Sequence, residues 1–220
     1  MASMPRTPSR RHAVRLALAL AASVTLAACG GSPADDVPDD AVAVVNGTPI
    51  TQATFDRWYE ITMREASFAG SPLSDAEIGD RVMSTLIRAR WVRGEAEELE
   101  ITVPKSELEK EWKRTTELQY AGGKTFAQYK QETGLTEQEI RYRIETGKTT
   151  IFLTRWSQAE AGGPDAPDVD EKMLAYNRDY SERWKALTVC AEDHLIADCS
   201  NDDGSGDVGL ADDAADSAAQ

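Results

Sequence analysis

Residues 74–99 read SDAEIGDRVMSTLIRARWVRGEAEEL, and the spacing of their apolar side chains decides the fold class. Ile78, Val82, Leu86, Ala89, Val92, Ala96 and Leu99 recur every three or four residues for about six turns, the period of one helix face. In front stands Ser74-Asp-Ala-Glu77, a capping box. The serine hydroxyl accepts from an N–H of the first turn, and the glutamate reaches back to the serine's own N–H.

The same start signal recurs downstream. Ser106-Glu-Leu-Glu109 predicts a helix carrying Leu108, Trp112, Thr115 and Leu118 and ending near Gly122-Gly123. Thr125-Phe-Ala-Gln128 predicts a short one stopped at Gly134. Thr136-Glu-Gln-Glu139 opens another with Ile140, Ile144 and Ile151 on one face, and Asp168-Val-Asp-Glu171 caps a last helix with Val169, Met173, Tyr176 and Tyr180. Upstream, Phe55, Trp58, Tyr59, Thr62, Met63 and Ala66 form a further stripe, broken at Gly70-Ser-Pro72. Ahead of it lies Ala41-Val-Ala-Val-Val45, then Asn46-Gly47, then Thr48-Pro-Ile-Thr51. A β-branched run before Asn-Gly signals a hairpin, because both turn residues tolerate positive φ. Pro49, which has no N–H to donate, limits the second arm to an edge. After Lys185, Ala186–Cys190 and His194–Asp198 read as two short extended segments. The expected fold is mainly α: an N-terminal β-hairpin, five to six helices and a short extended C-terminal segment.

The N-terminus reads as an export signal. Arg6, Arg10, Arg11 and Arg15 precede an apolar run, Leu16–Leu26, which falls short of the roughly 20 residues that span a bilayer. Leu26-Ala27-Ala28-Cys29 resembles a bacterial lipobox, with cleavage between Ala28 and Cys29 and a lipid on the Cys29 sulfur. The alternatives are an ordinary secretory signal with a chance cysteine and, from Ser9-Arg10-Arg11, a twin-arginine signal. A lipidated Cys29 would hold the chain at the outer face of the cell membrane without a spanning helix.

Gly30–Asp40 (GGSPADDVPDD) holds no large apolar group and reads as a flexible tether. The end of the chain, 201–220, is small residues and aspartates. It reads as a solvated, disordered acidic tail, the alternative being an interaction segment. The expected layout is therefore a signal peptide 1–28, a tether 29–40, a helical domain 41–183, a short disulfide-closed segment 184–200 and the tail 201–220. With 38 acidic against 24 basic residues the chain repels polyanions, which argues against nucleic-acid binding. With Cys29 used by lipid, Cys190 and Cys199 are left to pair. A disulfide there would close a small loop and contribute about 2–3 kcal/mol. A zinc site adding His194 is the alternative, but it offers three ligands at unusual spacings.

These elements, in this order, resemble the SurA/PrsA family of extracytoplasmic foldases. Val44-Val-Asn-Gly-Thr-Pro-Ile-Thr-Gln-Ala-Thr-Phe55 is similar to that family's "VAxVNGxxIxxxxF". Leu86–Val103 is similar to its "LIxxxLxxxEAxxxGIxVxxxE", with Glu100 where the family has glycine, which would leave the helix end less sharply defined. Thr133–Arg141 and Val169–Asn177 follow the later family passages "GxSxxxLR" and "VxxxEVxxYYxxN". The resemblance implies a domain that holds unfolded exported polypeptides, without cofactor or metal. In that family a parvulin-type prolyl isomerase domain of about 90 residues normally follows or is inserted. Here only about 40 residues remain after residue 180, and His194-Leu195-Ile196 is at most an echo of a parvulin strand. Isomerase activity and a dedicated envelope adaptor are the alternative functions.

No Ser/His/Asp or Cys/His set, phosphate loop or metal-helix motif is present, so no catalytic residue is assigned. Carboxylate pairs such as Glu107/Glu109/Glu111 and Glu137/Glu139 read as solvated faces and caps. Large rings are numerous. Trp91, Trp112 and Trp156 sit less firmly on the apolar stripes than Trp58, which makes them the candidate client-binding residues.

Overall fold

A computed structural model describes residues 37–202. The expected signal peptide 1–28, the expected cleavage and lipidation site at Ala28–Cys29, most of the expected tether and the acidic stretch beyond Asp202 lie outside the described residues.

β1 (Ala41–Val45) and β2 (Thr48–Thr51) pair antiparallel around Asn46-Gly47, whose φ values of 45° and 73° place both residues in the left-handed region a tight hairpin needs. Pro49 lies on the edge strand. The other edge of β1 is taken by β3 (Thr188–Cys190), also antiparallel, so the order is β2-β1-β3. The chain thus returns at its C-terminal end to complete the sheet it began.

Six helices are found among the described residues: α1 (Gln52–Ala69), α2 (Asp75–Glu98), α3 (Lys105–Glu117), α4 (Phe126–Thr133), α5 (Glu137–Glu160) and α6 (Val169–Ala186). The capping boxes at Ser74, Thr125 and Thr136 form as read, each with its reciprocal pair of hydrogen bonds. Two expected caps do not. α3 starts directly after Pro104, whose ring holds φ at −59°, so Ser106 falls inside the first turn. The Asp168 carboxylate is engaged by Lys172 at 2.9 Å, one turn on, and makes no cap to the helix N–H groups. An unread cap stands at Thr51, whose hydroxyl accepts from the N–H of Thr54 at 3.2 Å.

α3 also ends earlier than expected. Leu118 turns extended (ψ 145°), and the Tyr120 hydroxyl folds back to donate to the carbonyl of Thr115 at 3.0 Å. A 3-10 turn over Ala121–Gly123 follows. On α1 the buried face is Phe55, Trp58 and Ile61, while Met63 is 42 % exposed; the stripe runs one residue off the expected one.

Of the two extended segments expected after Lys185, only the first forms a strand. Glu192–His194 is a 3-10 turn, and Leu195–Asp198 is not a strand. The chain instead doubles back so that Cys199 joins Cys190, their Cα atoms 5.7 Å apart. The Asn201 side chain stands in for a neighbouring strand: its amide oxygen accepts from the Cys190 N–H (3.1 Å) and its NH2 donates to the Cys190 carbonyl (2.8 Å).

The core lies between the sheet and α1, α2 and α6. Val42, Ile61, Val82, Met83, Ile87 and Trp184 are essentially inaccessible to water. Trp184, Thr188, Cys190 and Cys199 are also buried, each 1 % exposed or less. The Trp91 indole N–H donates to Thr188 Oγ1 at 2.8 Å, and that hydroxyl donates to the Trp184 carbonyl at 2.8 Å. A fully buried threonine thereby satisfies one donor and one acceptor between α2 and α6.

Candidate functional site

A hollow of about 680 Å³ lies between α1, α2 and α5. Its walls are Trp58, Thr62 and Ala66 of α1, Val82, Leu86, Ala89 and Val92 of α2, and Tyr142 of α5. The facing alanines leave space that larger side chains would fill. A second hollow of about 460 Å³ shares Trp58, Leu86 and Tyr142 with the first, and a third shares Val92 and Thr150. Sharing these walls, the three hollows adjoin one another along the α2–α5 seam, from the hairpin side towards Tyr176 and Tyr180 of α6, and the first of them is the main part of this groove.

The groove wall is held by a network around Arg143. Its guanidinium lies 4.7 Å from the Trp58 ring centroid and makes paired hydrogen bonds to Glu65 at 2.6 and 2.8 Å. Glu65 also accepts from the Tyr129 hydroxyl at 2.6 Å, linking α1, α4 and α5. Burial would raise the Glu65 carboxyl, but the hydrogen bonds from Arg143 and Tyr129 outweigh it and the carboxyl sits below its ordinary value. The Tyr129 hydroxyl is pushed up, first by burial and then by Glu65. Across the groove, Arg93 covers the Tyr142 ring at 4.5 Å and pairs with Glu145.

A separate hollow of about 440 Å³ opens between α3, α4 and α5, where Leu118 and Ile151 are 46 % and 44 % exposed. No three His, Cys, Asp or Glu side chains converge as a metal set among the described residues. His194 packs its ring 4.7 Å from that of Phe55 and stands 3.3 Å from Gln52 Oε1.

The SurA-like N-terminal domain family matches residues 1–148. The chain belongs to that family. No curated protein and no solved structure gives a significant match. SurA-like domains belong to chaperone-like foldases that work outside the cytoplasm. No helix among the described residues is long and apolar enough to cross a membrane.

The SurA-like match takes in the hairpin, α1 to α4 and the first half of α5, and so most of the groove. α6, β3 and the cysteine loop lie beyond it. The three tryptophans singled out from sequence do not converge on this groove. Trp91 is a core residue, 4 % exposed, and its N–H is spent on Thr188. Trp112 stands edge-on to Phe126 (5.7 Å) with the Arg141 guanidinium 4.0 Å over its ring, on the α3–α4 side. Trp156 packs against Tyr176 at 6.0 Å, beside the far end of the groove. Sequence reading missed Trp58 as a groove wall because it sits on the α1 core stripe, and Tyr142 because it lies off the Ile140–Ile144–Ile151 stripe of α5. The usable signal was the run of small residues, Ala66 and Ala69 on α1 and Ala89 on α2, at positions that face one another.

Proposed function

We propose that this chain is a lipid-anchored, extracytoplasmic holding chaperone that binds unfolded exported segments in the α1–α2–α5 groove. The observation that carries the reading is the open, largely apolar groove on a SurA-like domain. Its main hollow falls within the roughly 300–1,000 Å³ of ligand sites. Contiguous apolar surface of this kind on a protein otherwise rich in charge usually marks binding. Trp156 at the far end and Trp112 across α3 are accessory candidates, and Trp91 supports the wall from behind.

In this reading residues 1–28 direct export, Cys29 carries the lipid, and 29–40 tether a domain that spans 41–200, with 201–220 as an acidic tail. Client capture needs no cofactor and no metal. It rests on burying apolar side chains, and stays reversible because few polar contacts fix the bound segment.

Aggregation of a chemically denatured client, followed by light scattering with and without the protein, tests the holding role. Ala66→Trp fills the groove from α1 and is expected to abolish protection while circular dichroism stays unchanged. Full protection by a folded Ala66→Trp protein would overturn the groove assignment. Cys29→Ser is expected to move the protein from the membrane to the soluble fraction and to remove fatty-acid labelling. A proline-peptide isomerisation assay is expected to stay at background.

A further inference from the structure

The main hollow is lined by more basic than acidic side chains, on a chain whose overall balance is acidic. The chain has 38 acidic and 24 basic residues, yet the residues lining the main hollow include Arg81, Arg88 and Arg143 against a single acidic one, Glu65. Arg143 and Glu65 neutralise each other through their paired hydrogen bonds. Arg88 is shared with Asp198, at 2.9 and 3.2 Å, but its side chain remains 65 % exposed. Arg81 is exposed and makes no ion pair among the described residues, although its charge acts weakly on Glu77 one turn back. Arg81 and Arg88 are seven residues apart on α2, two turns and about 10 Å along the rim. Between and beside them lies apolar wall: Val82, Leu86 and Ala89.

We propose that the groove selects polypeptide segments in which an apolar stretch is flanked by acidic residues, the apolar part entering between α1 and α2 and the carboxylates meeting Arg81 and Arg88. The proposal rests on the reading of this groove as the client site and narrows it to a class of client. The physical basis is charge complementarity. A carboxylate at the rim replaces water on Arg81, which makes no ion pair among the described residues, and can share the exposed Arg88 with Asp198, whereas a lysine there is repelled by Arg81. Rim charges are solvent-exposed, so the preference is modest and weakens as salt shortens the screening length to about 10 Å at 0.1 M.

The experiment uses the full chain and three fluorescent peptides with one apolar core, flanked on both sides by Asp, Ser or Lys. Fluorescence anisotropy gives each Kd at low and at physiological salt. The Asp-flanked peptide is expected to bind about three- to tenfold more tightly than the Ser-flanked one, and the Lys-flanked peptide more weakly than either, with the differences shrinking as salt rises. Arg81→Glu is expected to erase most of the preference and Arg81→Lys to keep it. Equal affinity for all three peptides would overturn the selectivity while leaving the holding role standing. No binding of any peptide, together with no protection against aggregation, would remove both. A preference that survives Arg81→Glu would place the selection elsewhere and overturn the assignment. Replacing Asp203, Asp207, Asp212, Asp213 and Asp216 by Asn covers the remaining occupant. If that variant binds the Asp-flanked peptide severalfold more tightly, the chain's own tail fills the groove, and the assignment to a client is overturned.

Discussion

Gly94 and Trp184 are in direct contact across the α2–α6 crossing: a Cβ added to Gly94 would stand 2.1 Å from Cη2 of the indole. Glycine inside a helix such as α2 costs roughly 1 kcal/mol relative to alanine. It is retained here because the buried ring occupies the space a methyl group would need. Gly94→Ala therefore forces the ring out of a closed core, and overpacking of that kind costs about 1–3 kcal/mol. The upper part of that range is expected, with a melting temperature lower by several degrees. Shrinking the ring as well, in Gly94→Ala/Trp184→Leu, should cost less than the two changes summed. Additive losses in thermal unfolding would show that the contact does not constrain the helix.

The next residue, Glu95, is 2 % exposed and is the polar centre of the same crossing. It accepts from the Trp184 indole N–H at 2.6 Å, from the Tyr176 hydroxyl at 3.1 Å and from Arg183. Arg183 is 44 % exposed and can turn to Glu98 or to water, so losing the ion pair itself matters little. What matters is the indole N–H, which has no other acceptor. Glu95→Leu is expected to cost about 2–3 kcal/mol in urea unfolding, mainly from stranding that buried donor. A variant as stable as the parent would mean that water reaches the site.

Much of this architecture is legible in the sequence, and the parts that are not share a physical cause. Asn46-Gly47, the boxes at Ser74, Thr125 and Thr136 and the stripe of α2 are local signals, and each forms where it is read. Ser106 and Asp168 match the same local pattern but lose to a neighbour, Pro104 in one case and Lys172 in the other. The pairing of β3 with β1 joins residues about 145 positions apart, and nothing in the period of either segment announces it. The groove is harder still. It is made by what α1 and α2 lack where they line the same hollow, and the small residues Ala66, Ala69 and Ala89 mark it only once the two helices are known to pack together. The tryptophans illustrate the difficulty: Trp91 departs from its helix's main stripe because it packs on β3 and α6, which a single-helix period does not include.

Arg57 and Glu139 fasten α1 to the start of α5, with hydrogen bonds at 2.6 and 2.8 Å, and Arg57 also donates to the Gly134 carbonyl at 2.7 Å. The Arg57 guanidinium, helped by the Thr136 cap, holds the Glu139 carboxyl at about 2. A carboxyl depressed in the folded state stabilises the fold at pH values above its unfolded value near 4.3, and that contribution is lost as pH falls towards 2. Urea midpoints are thus expected to fall between about pH 5 and pH 2. In Arg57→Met the midpoint should be lower at pH 7, with its gap to the parent closing towards pH 2. Parallel curves for the two proteins would mean that Glu139 does not feel Arg57.

Glu100 occupies the glycine position of the family pattern that the sequence resembles, and the helix end there is fully formed. The N–H of Ile101 donates to the Ala96 carbonyl at 2.7 Å and that of Glu100 to the Glu97 carbonyl at 3.1 Å, the two bonds of a Schellman termination. That geometry needs a left-handed residue after the cap, and Glu100 supplies it with φ 54°. A residue with a Cβ pays roughly 1–2 kcal/mol to sit there, which glycine does not. Glycine also gives the unfolded chain more freedom, which offsets part of the gain. Glu100→Gly is therefore expected to stabilise the protein by about 0.5–1 kcal/mol and raise the melting temperature by a few degrees, whereas Glu100→Ala should give no such gain. Calorimetry on the two variants separates backbone conformation from loss of the exposed charge. Equal effects would assign the change to the charge, and a loss in Glu100→Gly would mean that the Glu100 side chain contributes a contact worth more than its strained backbone.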